Sequence, residues 1–288
     1  MRTTASPADL ARQTIDLMDR AAEANRSDPF RQALLIELPT EGEILVAGDL
    51  HGNRKNLDRI LQLANLPRYR DRHLILHELV HDFHENNGSC RSHRLVDMGA
   101  RLKLAFPRQV HFILGNHEFA ELLNLPIGKQ GRELNASFAK GGVELYGDAW
   151  PEVKRAYDRF WMSHPVAVRT ANGLFVSHST PRLEKLEGLS LEYLRTTSAE
   201  VAFQRKSPIF DMLWGRDYRV ETANAVAGMM DATVLIVGHT PCEEGMATPN
   251  DHHVILDCKD RKGCYALLPL DRPVTHDEAA RMCRRLYS

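Results

Sequence analysis

Glu43-Ile44-Leu45-Val46-Ala47-Gly48-Asp49-Leu50-His51-Gly52-Asn53 runs from four consecutive apolar residues into a turn that carries a carboxylate and an imidazole two positions apart. The apolar run reads as a β-strand. Gly48 and Gly52 allow a tight turn that aims Asp49 and His51 at one ion. Four further runs end on a potential metal ligand in the same way: Leu74–Glu78, Val110–Asn116, Leu174–His178 and Val234–His239. Strand ends that carry oxygen and nitrogen donors predict a metal centre. Between the first three runs lie an amphipathic helix, with Leu57, Ile60, Leu61 and Leu63 on one face, and a second helix over 94–105. Such alternation predicts right-handed βαβ units and a parallel sheet, with functional loops at the strand C-termini.

The chain has 288 residues, and candidate ligands spread from Asp49 to His239 must meet in one place, which predicts a single domain over 1–288. Thirty-seven basic and thirty-eight acidic side chains nearly cancel, so no bulk field recruits nucleic acid or an anionic membrane. Attraction for an anionic substrate must then be local. Cysteines 90, 242, 258, 264 and 283 lack metal-ligand or disulfide-framework spacing and are expected to be reduced thiols. No apolar stretch approaches the roughly 20 residues that span a bilayer, so the expectation is a soluble cytoplasmic protein.

Outside the segment 44–258, Ser6-Pro7-Ala8-Asp9 is a helix start, and residues 1–40 are expected to form an accessory helical layer. Beyond residue 233, runs at 234–237, 254–256 and 265–268 are separated by short turns. They predict a closing antiparallel hairpin, followed by a C-terminal helix opened by the capping box Thr275-His276-Asp277-Glu278.

Gly48-Asp49-Leu50-His51-Gly52-Asn53, Gly115-Asn116-His117-Glu118 and Gly238-His239-Thr240, in that order and each after a β-like run, resemble the motifs of the calcineurin-like metallophosphoesterases. The resemblance implies a four-layer α/β/β/α sandwich. It implies hydrolysis of phosphate esters or anhydrides by a hydroxide that two divalent ions activate. It implies a phosphorylated substrate and leaves open protein, nucleotide and small-molecule classes. It implies Asp49, His51, Asn116, His178 and His239 as metal ligands and His117 as the general acid that protonates the leaving oxygen. An imidazole with a pKa near 6.5 suits that task. Mixed carboxylate and imidazole donors favour manganese, iron or zinc over calcium.

The second family motif departs from the pattern. Where relatives have Gly-Asp and, three residues later, Asp-Arg, this chain has His77-Glu78-Leu79-Val80-His81-Asp82. Alignment on the strand end makes Glu78 the carboxylate between the ions, with Asp82 as the other carboxylate open to that role. His81 stands where the acid's partner would be, and Asp82 where the phosphate-holding arginine would be. Arg216, in Asp211-Met212-Leu213-Trp214-Gly215-Arg216-Asp217, offers a bidentate fork for phosphate. Arg54, Arg91 and Arg94 are alternatives by sequence proximity. His178 is followed by Ser179-Thr180-Pro181 rather than by the family's glycines.

Two other readings compete. His77-Glu78-Leu79-Val80-His81 matches His-Glu-x-x-His, the zinc-protease signature, which requires both histidines on one face of a helix. The preceding Arg72-His73-Leu74-Ile75-Leu76 predicts a strand instead. The altered motifs would also fit a phosphoesterase-like fold that binds a ligand without turning it over.

Overall fold

The computed structural model describes residues 6–83, 88–129 and 131–287. Its early strands are β1 (Arg31–Gln32), β2 (Leu35–Leu38), β3 (Glu43–Ala47), β4 (Arg72–Leu76) and β5 (Val110–Phe112). A short ribbon, β6 (Gly128–Lys129) with β7 (Arg132–Glu133), precedes β8 (Ala167–Thr170), β9 (Leu174–Ser177) and β10 (Val234–Val237). The last strands are β11 (Met246–Ala247), β12 (His253–Leu256), β13 (Cys264–Pro269) and β14 (Cys283–Arg285). The α-helices through residue 162 are α1 (Pro7–Arg26), α2 (Arg54–Ala64), α3 (His93–Ala105), α4 (Asn116–Leu123), α5 (Leu134–Tyr146) and α6 (Trp150–Met162).

Two sheets stack face to face, ordered β1-β2-β8-β9-β10-β12-β11 and β14-β13-β3-β4-β5. Side-chain alternation along β3 explains the stacking. Ile44 and Val46 point between the sheets to meet Val168, Val176, Ile236 and Val254, while Leu45 and Ala47 point out to the helices. Strands buried on both faces read as continuous apolar runs, which is why these segments do not alternate with polar residues. Helices cover both outer faces, which completes the four-layer α/β/β/α order.

α1 begins as expected: Ser6 Oγ accepts from Asp9 N at 3.1 Å, with proline in the first turn. Its buried face, Leu17, Met18, Ala21 and Ala22, packs chiefly on α6 and α3. The segment before residue 40 is more than a helical layer, however. β2 is an integral strand that pairs in parallel with β8 through Leu35–Ala167 to Leu38–Thr170. The closing hairpin also differs from expectation. β12 runs parallel to β10, and the turn at 260–263 carries the chain into the other sheet, where β13 pairs antiparallel with β3. The capping box forms in full, but its helix stops at Met282, and β14 adds to β13.

The consequence for function lies at one edge. β3, β4 and β5 of one sheet and β9, β10 and β12 of the other end there together. A parallel bridge between Asp49 and Asp257 joins the two sheets at this edge.

Candidate metal centre

Each candidate ligand follows its strand within a few residues: Asp49 and His51 after β3, Glu78 after β4, Asn116 at the start of α4, His178 after β9 and His239 after β10. The turns that present them are tight. Glu78, His81, His51 and His239 adopt left-handed φ values of 52°, 62°, 42° and 61°. Non-glycine residues hold that conformation only where the surroundings over-determine it, and such strain gathers at functional sites. The surroundings are visible. Glu78 O accepts from Leu50 N and His51 N at 3.1 and 2.8 Å, and Glu118 Oε1 accepts from Leu79 N and Val80 N at 2.8 and 3.3 Å. Gly238 and Gly115 leave room for side chains: a Cβ on Gly238 would lie 2.2 Å from Asp49 Oδ1, and one on Gly115 2.7 Å from Glu78 Oε1.

Four donor atoms crowd one point. His178 Nε2 lies 2.8 Å from Asn116 Oδ1, 2.8 Å from Glu78 Oε2 and 3.1 Å from His239 Nδ1. His239 Nδ1 is 2.9 Å from Asn116 Oδ1. One ring nitrogen has at most one proton, so it cannot satisfy three such neighbours. Glu78 Oε2, buried, has no satisfied hydrogen bond among the described residues although His178 Nε2 lies 2.8 Å away. A cation at the centre of these lone pairs is what the arrangement fits. Asp49, His51 and Glu78 form a second convergent group, so Glu78 belongs to both. Asp82 belongs to neither.

The electrostatics point the same way. Burial, then the Asp49 charge, pushes Glu78 up to about 8, and burial pushes Asp49 up as well. Burial pushes His178 down to about 3 and His51 well below its ordinary value. The imidazoles are therefore neutral and have lone pairs to offer. The crowded carboxylates gain from a positive ion. Tautomers are set from outside: His51 Nδ1 donates to Val80 O at 3.1 Å, which leaves Nε2 facing Asp49.

His77 and His81, the histidines of the protease-like motif, do not converge. No helix spans 77–81. His77 Nε2 donates to Ala47 O at 2.9 Å, and its Nδ1 lies 3.1 Å from His178 Nδ1; it can accept a hydrogen bond from His178 Nδ1–H, which leaves the lone pair of His178 Nε2 for an ion. Asp49, His77 and His178 also form a convergent group. His81 instead faces His117 and Glu121, at 2.7 and 3.0 Å. The single-zinc protease geometry is absent among the described residues.

Above the ligands opens a cavity of about 470 Å³, with Asp49, His51, Asn116, His117 and His239 on its floor. Its cations are Arg216, Lys129 and Lys259. Arg216 donates to His239 O at 3.2 Å, Lys259 is ion-paired to Asp257, and Lys129 sits 3.5 Å over the Phe83 ring. Arg216 is thus in the expected region. Arg54 is not: it turns outward to Asp58 at 2.8 Å and does not line the cavity. Arg91 and Arg94 do not line it either. Lys129, Lys259 and Trp214 went unanticipated. Lys129 follows Gly128 in a ribbon thirteen residues beyond Asn116, and no local pattern ties it to the site.

Residues 42–253 match the family model described as calcineurin-like phosphoesterase. Among solved structures, a protein serine/threonine phosphatase from Saccharomyces cerevisiae superposes with TM-score 0.67 at 14% identity, over 90% of this chain and 82% of that one. A cold-active protein-tyrosine phosphatase from a psychrophilic Shewanella superposes with TM-score 0.58 at 14% identity, over 92% and 84%. At this identity the likeness is one of fold. No curated protein matches the chain in sequence.

Proposed function

This chain belongs to the calcineurin-like phosphoesterase family, and from that premise we propose that it is a metal-dependent hydrolase of phosphate esters or anhydrides with a dinuclear centre. The observation that carries the reading is the sharing of Glu78 between two convergent donor groups. One ion would be held by Asp49, His51 and Glu78, the other by Glu78, Asn116, His178 and His239. Two divalent ions there would supply Lewis acidity toward phosphoryl oxygens and a nucleophile at neutral pH. The donor set suits manganese, iron or zinc.

The chain's own side chains supply the rest. Arg216, Lys129 and Lys259 place positive charge along the cavity where an anionic phosphate would enter. Asn116 contributes a neutral oxygen and so adds no charge to repel it. His117 has its Nδ1 engaged by His81, which leaves Nε2 for the leaving oxygen. Burial holds His117 well below its ordinary pKa when the cavity is empty, and an arriving phosphate anion favours its protonated form. The lysines answer the loss of arginine at position 82, the feature that would otherwise favour a binding protein without turnover.

The substrate class remains a phosphorylated protein, nucleotide or small molecule. No helix among the described residues is long and apolar enough to cross a membrane. No disulfide links the five cysteines, all buried, which supports a reducing compartment such as the cytoplasm. The test is metal content together with a manganese-supplemented panel of phosphomonoesters, diesters and anhydrides. Two ions per chain with metal-dependent turnover is the expected result; no bound metal and no turnover would refute the proposal.

A further inference from the structure

We propose that Glu121 is a positioning residue for His117 and acts through His81, so that a buried Glu–His–His chain fixes which nitrogen of His117 faces the substrate. The proposal rests on the reading of His117 as the proton donor to the leaving group. α4 puts His117 and Glu121 one helical turn apart on one face, and the ring of His81 inserts between them. His81 Nε2 lies 3.0 Å from Glu121 Oε1, and His81 Nδ1 lies 2.7 Å from His117 Nδ1. His81 is fully buried and Glu121 nearly so. Lys154 Nζ, ion-paired to Asp158 at 2.6 Å, also stands 3.6 Å from Glu121 Oε2 and donates to Glu121 O at 3.2 Å, so its charge is shared between the two carboxylates.

Hydrogen-bond inventory gives the direction. An ionised carboxylate only accepts, so His81 Nε2 carries the proton and its Nδ1 is the acceptor. His117 Nδ1 must then be the donor. Its Nε2 is left without a protein partner among the described residues, and His117 lines the cavity. Glu121 does not line the cavity, so its effect on turnover passes through His81. The left-handed φ of 62° at His81 shows that the chain bears a backbone cost to hold the ring there. Partners that orient a functional histidine are typically worth about 10–100-fold in activity.

The test compares Glu121→Leu and Glu121→Gln in the native background and in His81→Asn. Asparagine tolerates left-handed backbone, and its Oδ1 sits where His81 Nδ1 does, so it can accept from His117 without Glu121. Glu121→Leu should lower kcat about 10–100-fold with little change in KM, and Glu121→Gln, which keeps an acceptor oxygen, should lose less. In the His81→Asn background the leucine change should cost under about threefold. Equal losses in both backgrounds, or none in either, would overturn the proposal. Long-range 15N NMR on metal-free protein reads the tautomer without reference to activity. His117 should carry its proton on Nδ1, and Glu121→Leu should redistribute it; an Nε2 proton in the native chain, or no change in the variant, would overturn the proposal too. His117→Asn tests the underlying reading separately, because its loss should shrink for nitrophenol leaving groups. A uniform loss there refutes the proton-donor role while the NMR result on the chain still stands.

Discussion

Glu78 is the residue on which the two donor groups depend. If Glu78 bridges two ions as proposed, Glu78→Gln removes the anion between them, so metal content and turnover should fall together, whereas Glu78→Asp should keep part of both by retaining the charge at shorter reach. Metal analysis and steady-state kinetics on the two variants check this, and a fully loaded Glu78→Gln would contradict it. Gly238→Ala should be nearly as damaging, because the added methyl would lie 2.2 Å from Asp49 Oδ1 and must displace it. Activity should drop while the far-UV spectrum stays native. The residues that converge at this edge are legible in the sequence because each stands within a short word after an apolar run. Glu121 and Glu118 were not: their roles depend on which loop packs over α4, and helix-phase spacing alone says nothing of that loop. Arg54 shows the limit of sequence proximity. Its neighbours in sequence enter the site, but at the first turn of α2 it faces solvent and Asp58.

Strands β3, β4, β5, β9 and β10 could be read from sequence because burial on both faces leaves unbroken apolar runs. Pairing could not. The runs at 254–256 and 265–268 look alike whether they pair with each other or join different sheets, and β13 chooses β3 because Ala266 and Leu268 fill the space between the sheets. A second element-level device went unread. Asp28, at the end of α1, accepts from Lys103 Nζ of α3 at 2.6 Å and His111 Nδ1 of β5 at 2.9 Å, all buried. Burial alone would push Asp28 up, but the His111 and Lys103 contacts prevail and hold it below the usual carboxylate range. Asp28→Asn leaves Lys103 without its counter-charge in the interior and should cost about 3–5 kcal/mol in urea denaturation. Because the folded pKa lies below the unfolded one, that contribution is complete above about pH 5 and fades as pH falls below about 4. A difference that persisted undiminished into acid would contradict the pairing.

Over the whole molecule, two sheets meet at one edge where six candidate ligands from five strand ends converge, so on the proposed reading ions would bind the folded chain far better than the unfolded one. At a free concentration a hundredfold above Kd, each ion adds about 2.7 kcal/mol. Two should raise the melting temperature by on the order of 10 °C over the chelated protein. Calorimetry with and without manganese measures the shift, and its absence would mean that the centre is not a metal site. The most direct measurement is anomalous diffraction from crystals grown with manganese. Two peaks are expected, one beside Asp49 and His51 and one among Asn116, His178 and His239, with the Glu78 carboxylate reaching both. A single peak held by His77 and His81, or no peak at all, would contradict the dinuclear centre.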